Sequence, residues 1–100
     1  GWAVVLDEMG KIKPITFLVG IDNKYKVVGV YILEYRDMFG DGIKRKSFLR
    51  QFIGKSSSEP LAVGRDIDAV TGATISSHAA ASAVKKTLQL IQEIQKDSFK

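Results

Sequence analysis

The sequence predicts an α+β domain: a twisted antiparallel sheet with a long C-terminal helix and a shorter helix packed against it. Three observations carry this. Ile15, Phe17, Val19 and Ile21 form a period-two row, the mark of a half-buried strand. Ala80, Val84, Leu88, Ile91 and Ile94 recur at three- and four-residue spacing, which places one apolar stripe along a helix. The strand-like runs are separated by short turn clusters, and short connections imply antiparallel pairing.

The first strand is read from Trp2, Val4 and Leu6, alternating with Ala3 and Val5, with a turn around Met9-Gly10-Lys11. After the Ile15–Ile21 row comes Asp22-Asn23-Lys24, a turn cluster in which Asn tolerates positive φ. Val27, Gly29, Tyr31 and Leu33 then alternate with Val28, Val30 and Ile32. That run is apolar on both faces, so it is expected to be a central strand. Residues 36–47 are charged, contain Gly40 and Gly42, and read as a loop. Ser47 is the expected N-cap of a short helix whose apolar face is Phe48, Leu49, Phe52 and Ile53, ending at Gly54. Residues 55–66 are irregular. Ser76 or Ser77 is the expected cap of the long helix, which runs to about Gln95. Its first turns are narrow at Ala79, Ala80, Ala81 and Ala83, where a backbone or a flat ligand can come close, although strong helix propensity is by itself the favoured reason for alanine there. Trp2 and Tyr31 are assigned to the core.

A chain of 100 residues suits one domain over residues 1–100, burying roughly 65% of its unfolded surface. There are no cysteines, which excludes disulfides, thiolate catalysis, iron–sulfur clusters and Cys-ligated zinc. A single histidine, His78, argues against a His-rich metal site or a Ser/His/Asp triad. No apolar run approaches the ~18 residues of a membrane span, and no signal-peptide pattern is present, which fits a mature or trimmed form. The formal net charge is +4, with basic residues gathered at Lys44-Arg45-Lys46, Arg50 and Lys55 and again at Lys11, Lys13, Lys24 and Lys26. Such a balance attracts anions in general, but lysines of this kind also serve as ordinary solvated surface.

The chemically informative stretch is Asp66-Ile67-Asp68-Ala69-Val70-Thr71-Gly72-Ala73-Thr74-Ile75-Ser76-Ser77. It sets small and hydroxyl-bearing residues just ahead of a long helix. Free N–H groups and the positive end of the helix dipole favour a phosphate there. Gly72 and Ala73 let a ligand approach the backbone, while Thr71, Thr74, Ser76 and Ser77 offer hydroxyls. The plainer reading is a glycine-containing loop followed by a capped helix. Neither a Walker A nor a GxGxxG fingerprint is present.

Asp68-Ala69-Val70-Thr71-Gly72-Ala73-Thr74 resembles the D-x-x-(S/T)-G-A-T flavinylation motif of the FMN-binding domain family. That family includes the NosR-like and stand-alone extracytoplasmic flavin domains. More distantly it includes the G subunit of the Rnf complex and the C subunit of the Na+-translocating NADH:quinone reductase. The likeness extends to Leu33-Glu34-Tyr35-Arg36-Asp37, to Phe48–Lys55, to Val63–Asp68, and to the Gly1-Trp2-Ala3 and Ile15–Asp22 segments, nearly the whole chain in one order. One segment departs. The two membrane complexes carry E-T-P-G-L-G where this chain has Asp37-Met38-Phe39-Gly40-Asp41-Gly42; the glycines match and the Thr, Pro and Leu do not.

The resemblance implies that FMN is attached covalently through its phosphate to Thr74, by an ApbE-type flavin transferase that uses FAD as donor. Asp68, Thr71, Gly72 and Ala73 are then the determinants the transferase reads, with Ser76 and Ser77 as hydrogen-bond donors to the phosphate. Lys55 and Arg65 are candidate charge partners, and His78 either contacts the phosphate or ribityl chain or is simply exposed. Tyr35, Met38, Phe39 and Phe52 are candidates for one face of the isoalloxazine, each with a core role as the alternative. The implied function is an electron-carrier component, not an enzyme by itself, working with redox partner proteins that include membrane-bound ones, outside the cytoplasmic membrane.

Three other readings compete. A flavin-dependent redox sensor would share the same residues. A basic nucleic-acid or anionic-surface module is suggested by the charge, but no aromatic–basic motif accompanies it, so no nucleic-acid partner is expected. Ser82 and Lys85 form an S-x-x-K pair of the kind some hydrolases use, here inside a helix with no supporting motif.

Overall fold

The computed structural model describes residues 1–38 and 41–97. Phe39 and Gly40, which entered the pocket and loop expectations, lie outside the described residues. Three strands, β1 (Trp2–Met9), β2 (Pro14–Ile21) and β3 (Val27–Tyr35), form an antiparallel sheet in the order β1-β2-β3. A 3₁₀ turn (Asp41–Lys44), a one-turn helix α1 (Lys46–Leu49) and a second 3₁₀ turn (Arg50–Phe52) follow. The long helix α2 (Thr74–Asp97) completes an α+β fold.

The central strand is β2, not β3. Its inward row Ile15, Phe17, Val19 and Ile21 is fully buried, as the alternation requires. The expectation of a central β3 fails because no described strand pairs on its far side. Its apolar run is instead interrupted by two register shifts, between Thr16/Phe17 and Gly20/Ile21 of the partner strand, which turn part of it outward. Each shift leaves one extra residue on β3, Val28 opposite Gly20/Ile21 and Leu33 opposite Thr16/Phe17. The shifts keep the inward pairs Ile15↔Tyr35, Phe17↔Ile32, Val19↔Val30 and Ile21↔Val27 in register. The apolar residues left over face out. Tyr31, assigned to the core from sequence, is 56% exposed and lies back over Gly29, where a Cβ would meet its hydroxyl at 2.7 Å. Trp2 is half-buried and stacks on Tyr25 with ring centroids 5.4 Å apart.

Helix α2 covers the inward face of the sheet. Ala79, Ala80, Ala81, Ala83, Val84, Leu88 and Ile91 are buried in one core with β2, Phe48, Phe52 and Ile67. The small residues therefore admit the sheet and its neighbours, not a flat ligand. Ile94 falls off the stripe and is exposed. Ser82 donates to Glu8 on β1 (2.7 Å), and Lys86, not Lys85, pairs with the same carboxylate (2.9 Å). This polar staple joins α2 to β1 and uses the serine of the S-x-x-K pair.

Two capping expectations are corrected. Arg45, not Ser47, occupies the N-cap of α1, without a side-chain cap bond. The segment tightens to 3₁₀ after Leu49, which buries Phe48 and Phe52 edge-to-face at 5.5 Å and turns Ile53 out to solvent. Helix α2 begins at Thr74, so Ser76 and Ser77 sit inside its first turn and not at its cap.

Candidate functional site

The loop that delivers Thr74 is built from side chains gripping backbone. The Asp66 carboxylate accepts hydrogen bonds from the amides of Leu61 (3.1 Å) and Ala62 (2.9 Å). Lys55 Nζ stands 3.5 Å from it. Burial pushes the Asp66 carboxyl up, but the amides of Ala62, Leu61 and Asp66 itself, with Lys55, outweigh that and hold it below the usual carboxylate value. The bridge between Val63 and Ile67 closes the turn and buries Ile67. Lys55, a candidate partner for a ligand phosphate, is thus engaged by Asp66, and Arg65 is exposed.

Gln51 holds the next residue. Its Oε1 accepts from Asp68 N (2.7 Å) and its Nε2 donates to Asp68 O (3.0 Å). The Asp68 side chain stays exposed. Val70 packs so closely on Gly42 that a Cβ there would lie 2.7 Å from Val70 Cγ1. Residues 70–73 form a β-turn closed by Ala73 N to Val70 O at 2.9 Å. Gly72 occupies its third position with φ +79°, the conformation that favours glycine. Nothing lies within 4 Å of where a Gly72 Cβ would be, so a ligand can reach this backbone.

The turn launches α2 with Ala73 buried and Thr71 and Thr74 exposed. Neither threonine hydroxyl has a partner among the described residues. The first amides of the helix, at Thr74, Ile75 and Ser76, likewise find no acceptor among the described residues, the ordinary state of a helix start. Ser77 supplies the first helical bond, from its N to Ala73 O (2.9 Å). Its hydroxyl donates to Ala73 O (2.7 Å) and accepts from Val70 N (3.1 Å). Ser76 Oγ lies 3.0 Å from Tyr35 Oη at the end of β3. Both serines are buried with their hydroxyls turned into the protein, so they fasten the turn and the helix start to the fold.

Of the aromatic candidates among the described residues, Tyr35 alone is tied to this end of α2. Lys44 Nζ stands 5.5 Å over its ring, a cation–π contact. Phe52 is fully buried in the core, Met38 is 89% exposed, and His78 points to solvent. Crevices of about 570, 430 and 320 Å³ are lined by other residues. Thr74 lines none of these three, and its side chain is exposed. Among the described residues no group of three metal-ligating side chains forms, and no helix is long and apolar enough to cross a membrane.

Sequence reasoning singled out the turn and both serines but not Gln51, whose only sequence signal is a polar residue between buried Phe48 and Phe52. It also did not anticipate the Gly42–Val70 contact, which joins residues 28 positions apart.

The chain matches the model of a family described as FMN-binding domain over residues 10–89. It is similar to the G subunit of the ion-translocating oxidoreductase complex of Vibrio parahaemolyticus, 33% identical over 95 residues, covering 84% of this chain and 44% of that protein. It is also similar to the G subunit of the Na(+)-translocating ferredoxin:NAD(+) oxidoreductase complex of Acetobacterium woodii, 33% identical over 88 residues, covering 79% and 42%. The chain spans less than half the length of these curated relatives. The matched region contains the whole Asp68–Thr74 turn, and the chain belongs to the FMN-binding domain family.

Proposed function

We propose that this chain is an electron-carrying domain whose FMN is bound covalently, by a phosphoester to the Thr74 hydroxyl. One observation carries the reading. Thr74 is an exposed first residue of a long helix, behind a Gly72 turn with open space beside it. A phosphate at that hydroxyl would meet the open amides of the helix start and the positive end of its dipole. Thr71 offers a second exposed hydroxyl on the same turn. The Thr74 side chain is exposed, and a covalent tether retains a cofactor without requiring a deep pocket.

The attachment reaction follows from the chemistry. With FAD as donor, Thr74 Oγ forms a bond to the FMN-side phosphorus, the pyrophosphate P–O bond breaks, and AMP leaves with the hydroxyl proton passing to the transferase or solvent. The product is heavier by one FMN less one water. Asp68, Thr71, Gly72 and Ala73 present the hydroxyl to an ApbE-type transferase, and Ser76 and Ser77 fix the turn from below. Bound FMN supplies reversible one- or two-electron transfer. Residues 1–100 act as a single flavin-carrying unit, supported by the one continuous core. The relatives are named as subunits of ion-translocating oxidoreductase complexes, which supports redox partner proteins for this chain. Membrane-bound partners and an extracytoplasmic location belong to the proposal through the resemblance of the Asp68–Thr74 motif alone.

The test is the intact mass of the domain, made with and without an active flavin transferase, with Thr74→Ala as control. A gain of one FMN less one water, requiring both the transferase and Thr74, is the expected result. No gain under conditions where the transferase modifies another substrate overturns the covalent reading.

A further inference from the structure

The outer edge of β3 borders a groove lined by no residue of the Asp68–Thr74 segment. The groove, about 430 Å³, runs between residues 28–32 of β3 and the short-helix segment carrying Lys44, Lys46, Arg50 and Ile53. β3 is an edge of the sheet among the described residues. At its start this edge already accepts a ladder-like partner: Val27 N donates to Lys55 O (2.9 Å) and Gly54 N donates to Val27 O (2.8 Å). Beyond Val27 no described segment pairs with it. An edge strand left open is a template for another extended chain. Val28, Tyr31 and Ile53, each about half exposed, give that groove apolar walls.

We propose that this groove takes an extended acidic segment of a partner protein, added as a strand on β3. The occupant is argued from charge. Lys44, Lys46 and Arg50 are exposed, and none has a carboxylate partner among the described residues. A chain paired with β3 would set alternate side chains against the apolar wall and leave its acidic ones facing the three cations. A second copy of this chain is disfavoured, because edge-to-edge pairing of two β3 strands would bring the same cations together. Nucleic acid is disfavoured because the groove offers a backbone ladder and aliphatic walls, with Tyr31 as its one aromatic side chain. The groove is also continuous with the helix start. Lys44 stands over the Tyr35 ring, and Tyr35 reaches Ser76, two residues from Thr74. A partner held there is placed beside the end of α2 that carries Thr74. Acidic residues steer such an encounter and fix its register.

The surface needs no flavin, so its test is separate from the fate of Thr74. The ¹⁵N-labelled chain, prepared without transferase, is titrated with a capped seven-residue peptide alternating glutamate and valine. The control is the lysine–valine peptide of equal length. The expected result is saturable shifts centred on the amides of residues 28–33, slower hydrogen exchange along β3, and no binding of the lysine peptide. The double variant Lys46→Glu, Arg50→Glu, at two exposed positions without a carboxylate partner among the described residues, should keep its circular dichroism spectrum and lose at least tenfold in affinity. Absence of saturable binding overturns the proposal, as does equal binding of both peptides or shifts that map elsewhere. Binding of a single-stranded oligonucleotide or of phosphatidylglycerol vesicles without peptide binding overturns it as well.

Discussion

Gln51 clasps the backbone of Asp68 on both sides, accepting from its N–H at 2.7 Å and donating to its C=O at 3.0 Å. One side chain on the short-helix segment thereby sets where the 68–74 turn begins. Gln51 Nε2 also reaches Phe48 O at 3.3 Å, so the clasp is anchored to its own helix.

Gln51→Ala removes both bonds to Asp68. The cost in stability is expected to be about 1–2 kcal/mol, from two hydrogen bonds of ordinary net worth. For a domain of this size each kcal/mol lowers Tm by roughly 4–8 °C. The greater effect should be on flavin attachment, since the turn carrying Thr74 is no longer held at its entry. Gln51→Glu keeps an acceptor for Asp68 N and loses the donor, so it should fall between wild type and alanine. Thermal melts and a time course of intact mass with the transferase check both effects. Wild-type attachment rates in a Gln51→Ala protein of lowered Tm would separate the clasp from function.

Gly72 holds φ +79° with open space beside it. Gly72→Ala therefore meets no steric wall and only the backbone penalty, about 1–2 kcal/mol for a left-handed residue with a Cβ. Gly42→Ala meets the opposite condition: its φ is not in the left-handed region, but its Cβ would collide with Val70. Both should lower Tm, and both should slow flavin attachment by displacing the turn from its two ends. Crystal structures or Val70 methyl chemical shifts should tell them apart, with Val70 displaced by Gly42→Ala alone.

The helix, the β2 row and the glycine-containing turn just ahead of the helix were legible because each is written in local sequence. A stripe at helical spacing and a period-two row need no distant partner to be recognised. The place of β3 was not legible. Its run from Val27 to Leu33 is apolar on both faces, and only the register shifts opposite Gly20 and Thr16 show which residues turn outward. The start of α2 was misplaced by three or four residues because serine is a strong N-cap type, whereas here Ser76 and Ser77 spend their hydroxyls on Tyr35, Val70 and Ala73. The roles of Gln51 and Tyr35 depend on contacts across 17 and 41 positions, which no local pattern encodes.

Acid should loosen the site loop before it unfolds anything that lacks a carboxylate. The Asp66 carboxyl is held below its usual value, so its contribution to stability is fully present above the unfolded value, near pH 4. That contribution is lost as pH falls through the lower folded value. Asp22 behaves alike: the Lys26 amide chiefly lowers it, desolvation opposes this next in size, and the Lys24 amide with both lysine charges tips the balance downward. Urea melts between pH 6 and pH 2.5 should show stability falling with pH. Asp66→Asn should flatten part of that slope while lowering stability at pH 6. An unchanged slope in Asp66→Asn would show that the loop carboxylate is not coupled to folding.

Ser77→Ala tests whether the floor of the turn matters as much as its surface. The hydroxyl is fully buried and is both donor to Ala73 O and acceptor from Val70 N. Alanine has the better helix propensity, worth about 0.5 kcal/mol. Against that, Val70 N–H loses its acceptor at a partly buried position, a cost of about 1–3 kcal/mol. The loss should win, giving a net destabilisation of about 1–2 kcal/mol by urea titration. It should be local, because the helix beyond the first turn keeps its own bonds and its apolar stripe. Hydrogen exchange should therefore accelerate at Val70 and Ala73 far more than at Val84 or Leu88. The exposed Thr74 hydroxyl is untouched by this change, yet flavin attachment should slow, because the turn that aims it has lost its fastening to the helix. A uniform rise in exchange along α2 would instead make Ser77 a general core residue and leave the turn without its own support.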